Sequence, residues 1–65
     1  MDSLPEFDVR PRTDRHGIPI GGYVWEVYDA ATGGPIDAGV DWKRERAVST
    51  GKRMRDHYER VLYYD

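Results

Sequence analysis

The sequence predicts an α+β fold: a three-stranded antiparallel β-meander covered on one face by a single C-terminal α-helix (β-β-β-α). A chain of 65 residues is long enough for one small domain only. Apolar and polar residues alternate in three segments before residue 42, and turn-forming residues separate these segments. After Trp42 the apolar spacing changes to that of an α-helix. We therefore expect one domain over residues 1–65, with residues 1–5 flexible.

The first strand is predicted at Phe7–Arg10, where Phe7 and Val9 alternate with polar residues. Residues 14–17 then have the composition of a turn, with Asp at the start and Gly at the end. Pro19 cannot donate a backbone hydrogen bond, so we expect it at a sheet edge or in a loop.

The central strand is predicted at Tyr23–Tyr28, a segment dense in β-branched and aromatic residues. Strand alternation assigns to the covered face Tyr23, Trp25 and Val27. It assigns to the open face Val24, Glu26 and Tyr28. Since the second set is half polar, we expect that face to contact water.

The third strand is predicted at residues 36–40, after a short hairpin loop at residues 29–34 that Asp opens and Gly closes. The residues expected to face the core are Ile36, Ala38 and Val40. The residues expected to point away from it are Asp37 and Asp41. This strand returns antiparallel to the central one.

The helix after Trp42 carries an apolar stripe at intervals of three and four residues. The stripe consists of Ala47, Gly51, Met54, Tyr58 and Val61, with Leu62 beside it. Asp41 is the one plausible cap at its start. Gly51 lowers helix propensity, so its place in the stripe predicts close approach to a sheet side chain such as Trp25. The helix is expected to close a core with Phe7, Val9, Trp25, Val27, Ile36 and Val40.

The absence of Cys excludes disulfides, thiolate nucleophiles and thiolate zinc sites. No apolar run approaches the ~20 residues of a membrane helix, and residues 1–6 carry acid where a signal peptide needs basic residues. We therefore expect a soluble, cytoplasmic protein.

Catalytic and metal-binding patterns are also missing from the sequence. His16 and His57 have no partner at metal-ligand spacing. Ser49 and His57 would lie about 12 Å apart along a helix, beyond hydrogen-bond reach. We expect a protein that is not an enzyme and that binds no metal and no cofactor.

Charge is divided unevenly along a chain whose net charge is -2. Residues 1–42 hold three basic and eight acidic residues, whereas residues 43–60 hold seven basic and three acidic ones. Within the helix, Arg46, Arg53 and Arg60 recur every seven residues, about 10.5 Å apart. Such a row is able to follow a nucleic-acid backbone. The alternative is a solvated helix face with opposite charges four residues apart, at Lys52–Asp56, Asp56–Arg60 and Arg55–Glu59.

A protein-interaction or self-associating module is the other function that the sequence leaves open. Its candidate contact residues are Val24 and Tyr28 on the open face, with Tyr63 and Tyr64 near the end of the chain. A three-stranded meander has two free edges, and so short a chain gains stability from a partner. A homodimer is therefore a possible form of this module.

The segment Tyr23–Asp29, followed by Thr32 and Gly33, is similar to the three-stranded-sheet-plus-helix domains of AP2 type and of tyrosine-recombinase arm-binding type. The likeness extends from Gly22 to about Arg60. In those domains the sheet enters the DNA major groove with Arg and aromatic side chains. The resemblance therefore implies DNA contacts for Arg10, Arg12 and Tyr28. This sequence departs from the pattern in having three acids that would repel phosphate there: Glu26, Asp37 and Asp41.

Overall fold

Three antiparallel strands and one helix make up residues 5–63, the part of the chain that the structure, a computed structural model, describes. The strands are β1 (Pro5–Thr13), β2 (Pro19–Asp29) and β3 (Pro35–Asp41), in the sheet order β1-β2-β3. The helix α1 (Arg44–Tyr63) follows. The predicted β-β-β-α architecture is confirmed, and Pro5, assigned by the sequence to a flexible leader, is the first residue of β1.

Both hairpins are closed by an aspartate whose carboxylate accepts backbone N–H groups. Asp14 accepts two such hydrogen bonds, at 2.8 and 3.0 Å, and Asp29 accepts one at 2.9 Å. Gly17 and Gly33 have φ angles of 81° and 71°, a region that strains residues with a side chain. The two predicted turns are therefore confirmed, because these positions carry the residues that such turns need.

Pro19 begins the central strand and pairs with Thr13. The pairing of β2 with β3 begins only at Tyr23, opposite Asp41. Pro19 therefore lies beyond the end of β3, where one side of β2 has no neighbour, and its predicted place at a sheet edge is confirmed.

The core lies between the sheet and one face of α1. Its buried apolar residues are Trp25, Val27 and Ala47. Partly buried residues that pack against them are Phe7, Val9, Tyr23, Ile36, Met54 and Tyr58. The predicted helix stripe and the covered face of β2 thus meet, but the interior is thin.

Trp25 stands between two glycines that leave room for its side chain. A Cβ atom on Gly39 would lie 2.5 Å from Cζ2 of Trp25, so the indole covers the bare backbone of β3. On the helix side, a Cβ atom on Gly51 would lie 3.3 Å from Cβ of Trp25 and 2.8 Å from Cδ2 of Phe7. The close approach predicted for Gly51 is confirmed, because only glycine lets α1 come this near to the sheet.

The predicted core positions of Ala38 and Val40 are wrong. Gly39 is the residue opposite Trp25, so Ala38 and Val40 lie on the other face of β3. Both are exposed, Val40 by 53%. The reason is that the indole of Trp25 occupies the space that a β3 side chain would otherwise fill.

Asp37, predicted to point away from the core, faces α1 instead. Its Oδ2 accepts a 2.9 Å hydrogen bond from the Tyr58 hydroxyl. The register shifts by one residue at Ile36, and such a bulge lets neighbouring residues turn toward the same face. Ile36 therefore packs against the core as predicted, while Asp37 joins the helix side, and alternation places Asp41 there too.

The last turns of α1 extend past the sheet. Val61 and Leu62, predicted to belong to the apolar stripe, are 60% and 54% exposed, so that prediction is wrong. Tyr58 already reaches Asp37, near the start of β3, and the helix continues for another turn. The described part of the chain holds no helix with the length and hydropathy of a membrane span.

The start of α1 is set by Lys43, whose carbonyl accepts the first helical hydrogen bond from Ala47 at 3.0 Å. The carboxylate of Asp41 accepts from the backbone N–H of Lys43 at 3.4 Å. Lys43 therefore takes the N-cap position that the sequence assigned to Asp41, and that prediction is wrong.

We expect Tyr58→Phe to lower the free energy of unfolding at neutral pH. We expect this decrease to be smaller at alkaline pH. The hydrogen bond to Asp37, with desolvation and the Asp37 charge, raises the pKa of Tyr58 above 10.0. Since the protonated phenol is the stabilising form, its contribution is complete below about pH 10 and is lost as pH rises through the raised value. Urea denaturation of both proteins at about pH 7 and about pH 11 measures this. A difference that stays constant with pH would contradict the assignment.

Candidate binding surfaces

The exposed surface of α1 is rich in basic residues. Together with the residue that precedes the helix, its exposed basic residues are Lys43, Arg44, Arg46, Lys52, Arg53 and Arg60. We call these six residues the basic helix face. In the described part of α1, Glu45 is the one acidic residue exposed to the same degree, whereas Asp56 and Glu59 are half-buried. This surface therefore presents a concentration of positive charge to solvent.

The arrangement of these residues follows from the period of the helix. Ala47 and Gly51 are buried against the sheet, and residues on the other side of α1 must face water. Arg46, Arg53 and Arg60 are all exposed, as predicted. Because seven residues are close to two helical turns, they form a row with a spacing of about 10.5 Å.

Arg55 does not belong to this row and has a packing role. Its guanidinium carbon lies 5.2 Å from the centroid of the Phe7 ring. Its Nη2 lies 3.0 Å from Oδ1 of Asp56. Asp56 is thus bound by its chain neighbour, and Lys52 and Arg60, its predicted partners four residues away, are exposed.

The side of the sheet that faces away from α1 carries a second surface. The side chains on it, from strand register and alternation, are Glu6, Asp8, Arg10, Arg12, Val24, Glu26, Tyr28, Ala38 and Val40, joined at Gly22 by Trp42, which follows β3. We call this set the open sheet face. It carries charged residues of both signs and a strip of apolar residues.

One end of the open sheet face is acidic. The Tyr28 hydroxyl donates a 3.2 Å hydrogen bond to Oε2 of Glu6. This bond, followed by desolvation and the charges of Glu6, Asp8 and Glu26, raises the pKa of Tyr28 above 10.0. Arg10 borders the acidic end, with its Nη1 3.9 Å from a carboxylate oxygen of both Asp8 and Glu26.

The other end of the open sheet face is basic and apolar. It holds a shallow, open cavity of about 220 Å³ lined by Arg10, Pro11, Arg12, Thr13, Ile20 and Val24. Trp42 lies beside it and is 72% exposed. A Cβ atom on Gly22 would lie 3.4 Å from Cε3 of Trp42 and 3.3 Å from Cδ of Arg12, so both side chains converge on this glycine.

Sequence reasoning missed Trp42, Val40 and Ile20 as members of a surface. Val40 falls on this face once Gly39 is placed opposite Trp25, and Trp42, which directly follows β3, lies against Gly21 and Gly22. The exposed fractions of Val40 and Trp42 show that apolar area remains uncovered here.

The structure does not bring the predicted contact residues into one site. Arg10 and Arg12 lie on the open sheet face, on the other side of the domain from the arginine row. Val24 and Tyr28 share the open sheet face with them, both half-buried. The side chain of Tyr63 and all of Tyr64 lie outside the described residues.

The imidazoles are remote from one another in the fold. His16 lies in the β1–β2 turn, where its Nε2 accepts a 3.4 Å hydrogen bond from Nε of Arg15. His57 is exposed on α1 and meets the Tyr58 ring edge-on at 5.1 Å between centroids. Among the residues described, no group of three His, Cys, Asp or Glu is placed to hold a metal ion.

These features define a small α+β domain with a basic helix on one side and an uncovered sheet of mixed charge on the other. Comparisons with protein-family models, curated proteins and solved structures gave no match to this chain. The resemblance to AP2-type and arm-binding domains therefore stays a prediction.

Proposed function

We propose that this chain is a small, non-enzymatic, cytoplasmic binding module that contacts nucleic acid through the basic helix face. The observation that carries the proposal is the charge of that face: six exposed basic residues against one equally exposed acid in the described part of α1 and its preceding residue. A surface of this kind attracts a polyanion and releases its counterions.

The geometry of the arginine row supports a phosphate backbone as the ligand. Arg46, Arg53 and Arg60 are spaced along the helix axis, so each is able to reach a different phosphate group. A guanidinium group makes two parallel hydrogen bonds to a phosphate, which a lysine ammonium cannot do. Asp56, which lies four residues before Arg60 on the helix, is bound by Arg55 and is half-buried.

The helix is a better nucleic-acid surface than the sheet. The open sheet face, which carries Arg10 and Arg12, also carries three carboxylates, those of Glu6, Asp8 and Glu26. Carboxylates repel phosphate groups, and Arg10 is already close to two of them. We therefore assign the contact to α1, in contrast to the sheet contact that the family resemblance implies.

We expect the double variant Arg46→Ala, Arg53→Ala to bind nucleic acid more weakly, whatever the base sequence of that nucleic acid. Removing two phosphate contacts should also flatten the slope of log K against log salt by about 2 units. Fluorescence anisotropy of labelled duplex DNA over a salt series measures both quantities. The experiment uses the full chain.

The matched control is the double variant Arg10→Ala, Arg12→Ala, which removes the same charge from the other side of the domain. It should leave the salt slope unchanged. A native protein that binds neither duplex nor single-stranded nucleic acid at low salt refutes the proposal. So does an affinity that falls only in the sheet variant.

A further inference from the structure

We propose that a second copy of this chain covers the open sheet face, forming a two-fold dimer in which the two sheets pack face to face with their strands antiparallel. This inference concerns the side of the domain opposite to the basic helix face and does not depend on nucleic-acid binding. It rests on the distribution of charge along the strands, on uncovered apolar area and on the thin core.

Charge along β1 is complementary to itself when the strand is reversed. Glu6 and Asp8 lie on the open sheet face toward one end, and Arg10 and Arg12 lie on it toward the other. A two-fold axis that crosses the strands, in the plane between the sheets, places β1 over β1 with its ends exchanged. Glu6 of each copy then faces Arg12 of the other, and Asp8 faces Arg10.

The same axis brings apolar groups together on β3, and on β2 it places Glu26 of one copy over Val24 of the other. Ala38 and Val40 are neighbours along β3 on the open sheet face, so Ala38 of one copy faces Val40 of the other. On β2, Tyr28 faces Gly22, where the side chains of Arg12 and Trp42 converge and where no Cβ atom stands in the way. The aromatic ring of Tyr28 would therefore meet that of Trp42.

A two-fold axis parallel to the strands does not give this complementarity. It places β1 of one copy over β3 of the other and β2 over β2, so that the charged side chains of β1 face Ala38 and Val40 while the two Glu26 carboxylates face each other. Like charges brought into contact across an interface are strongly unfavourable. The charge pattern therefore selects the arrangement with exchanged ends.

The remaining apolar surface gives the dimer its driving force. Trp42, Val40 and Ile20 are 72%, 53% and 50% exposed, whereas among the described residues the buried apolar core consists of Trp25 and the smaller Val27 and Ala47. Two sheets packed face to face bury the side chains of both inner faces, at a separation of about 10 Å. A chain this small gains proportionately more from that burial than a large one.

Sedimentation velocity over a dilution series tests the proposal. The native chain should sediment as a dimer, with twice the 7.5 kDa mass of one chain, and dissociate on dilution. Val40→Asp, a change at an exposed position, should abolish the dimer, while Ala30→Asp in the exposed β2–β3 turn should not. Circular dichroism verifies that both variants stay folded. A native chain that is monomeric up to about 1 mM overturns the proposal.

A charge exchange tests the orientation of the two copies. Glu6→Arg and Arg12→Glu should each place like charges opposite one another and weaken the dimer. Mixing the two variants should restore it, because each altered side chain then faces an opposite charge. Full dimerisation of either variant alone, or failure of the mixture to associate, contradicts the antiparallel arrangement.

The test also separates other occupants of this face. If Val40→Asp leaves the native mass unchanged but reduces binding to duplex DNA, the open sheet face contacts nucleic acid, and both this proposal and the helix assignment are wrong. If the dimer is lost while DNA binding still depends on Arg46 and Arg53, the two surfaces act separately, as proposed.

Discussion

Replacing Trp25 by alanine should unfold the domain at room temperature. Truncation of a buried tryptophan costs about 3–5 kcal/mol, and a small domain has a total stability near the lower end of about 5–15 kcal/mol. Here the indole is 8% exposed, covers Gly39 and lies against the helix at Gly51. Far-ultraviolet circular dichroism and urea denaturation measure the loss.

The chain provides its own matched control, since it has two tryptophans. Trp42 is 72% exposed, so Trp42→Ala should change the stability of the monomer by no more than about 0.5 kcal/mol. This comparison is made at concentrations below those that favour association. Equal decreases in the free energy of unfolding for the two substitutions would show that Trp25 is not the tryptophan covered by α1.

The substitution Gly39→Ala should also lower the free energy of unfolding by a large amount. A Cβ atom there would lie 2.5, 2.6 and 2.7 Å from Cζ2, Cε2 and Nε1 of Trp25. The ring has little room to move, because Trp25 is 8% exposed and packs in the core with Ala47 of α1. Overpacking of this kind costs about 1–3 kcal/mol, which urea denaturation resolves.

A matched change on the other face of the same strand is Ala38→Val. Ala38 is exposed, so the added methyl groups should alter the stability of the monomer by less than about 0.5 kcal/mol. Near-ultraviolet circular dichroism of the Gly39→Ala variant gives a second readout, because the signal of Trp25 should change. If Gly39→Ala is as stable as the native chain, the indole does not cover β3.

The covered face of β2 and the buried half of the helix stripe were predictable from the sequence because both depend on local periodicity. Trp25 and Val27 alternate with half-exposed residues, and Ala47 lies on the helical repeat that includes Gly51. These signals are independent of what packs opposite. The turns were predictable for a similar reason, since Asp and Gly favour them locally.

The faces of β3 were not predictable in the same way. An apolar alternation pattern assigns Ala38 and Val40 to the core. In the structure Gly39 faces the core instead, and a glycine contributes nothing to such a pattern because it has no side chain. That choice depends on where the indole of Trp25 points, a property of tertiary packing. The bulge at Ile36 also changes the alternation, and no residue type in β3 indicates a bulge at that position.

The two surfaces were predictable to different degrees. The row of Arg46, Arg53 and Arg60 follows directly from helical spacing, and its exposure is confirmed. The composition of the open sheet face required the strand register, which sets the acids beside Arg10 and brings Trp42 into the same surface. The order of charges along β1 is readable from the sequence, whereas their neighbours on β2 and β3 are not.

An NMR titration of the chain with duplex DNA tests most directly whether the basic helix face is the nucleic-acid surface. Backbone amide signals of residues 44–60 should shift as DNA is added, and those around Val24 and Val40 should not. Shifts confined to the sheet, with the signals of α1 unchanged, would contradict the assignment.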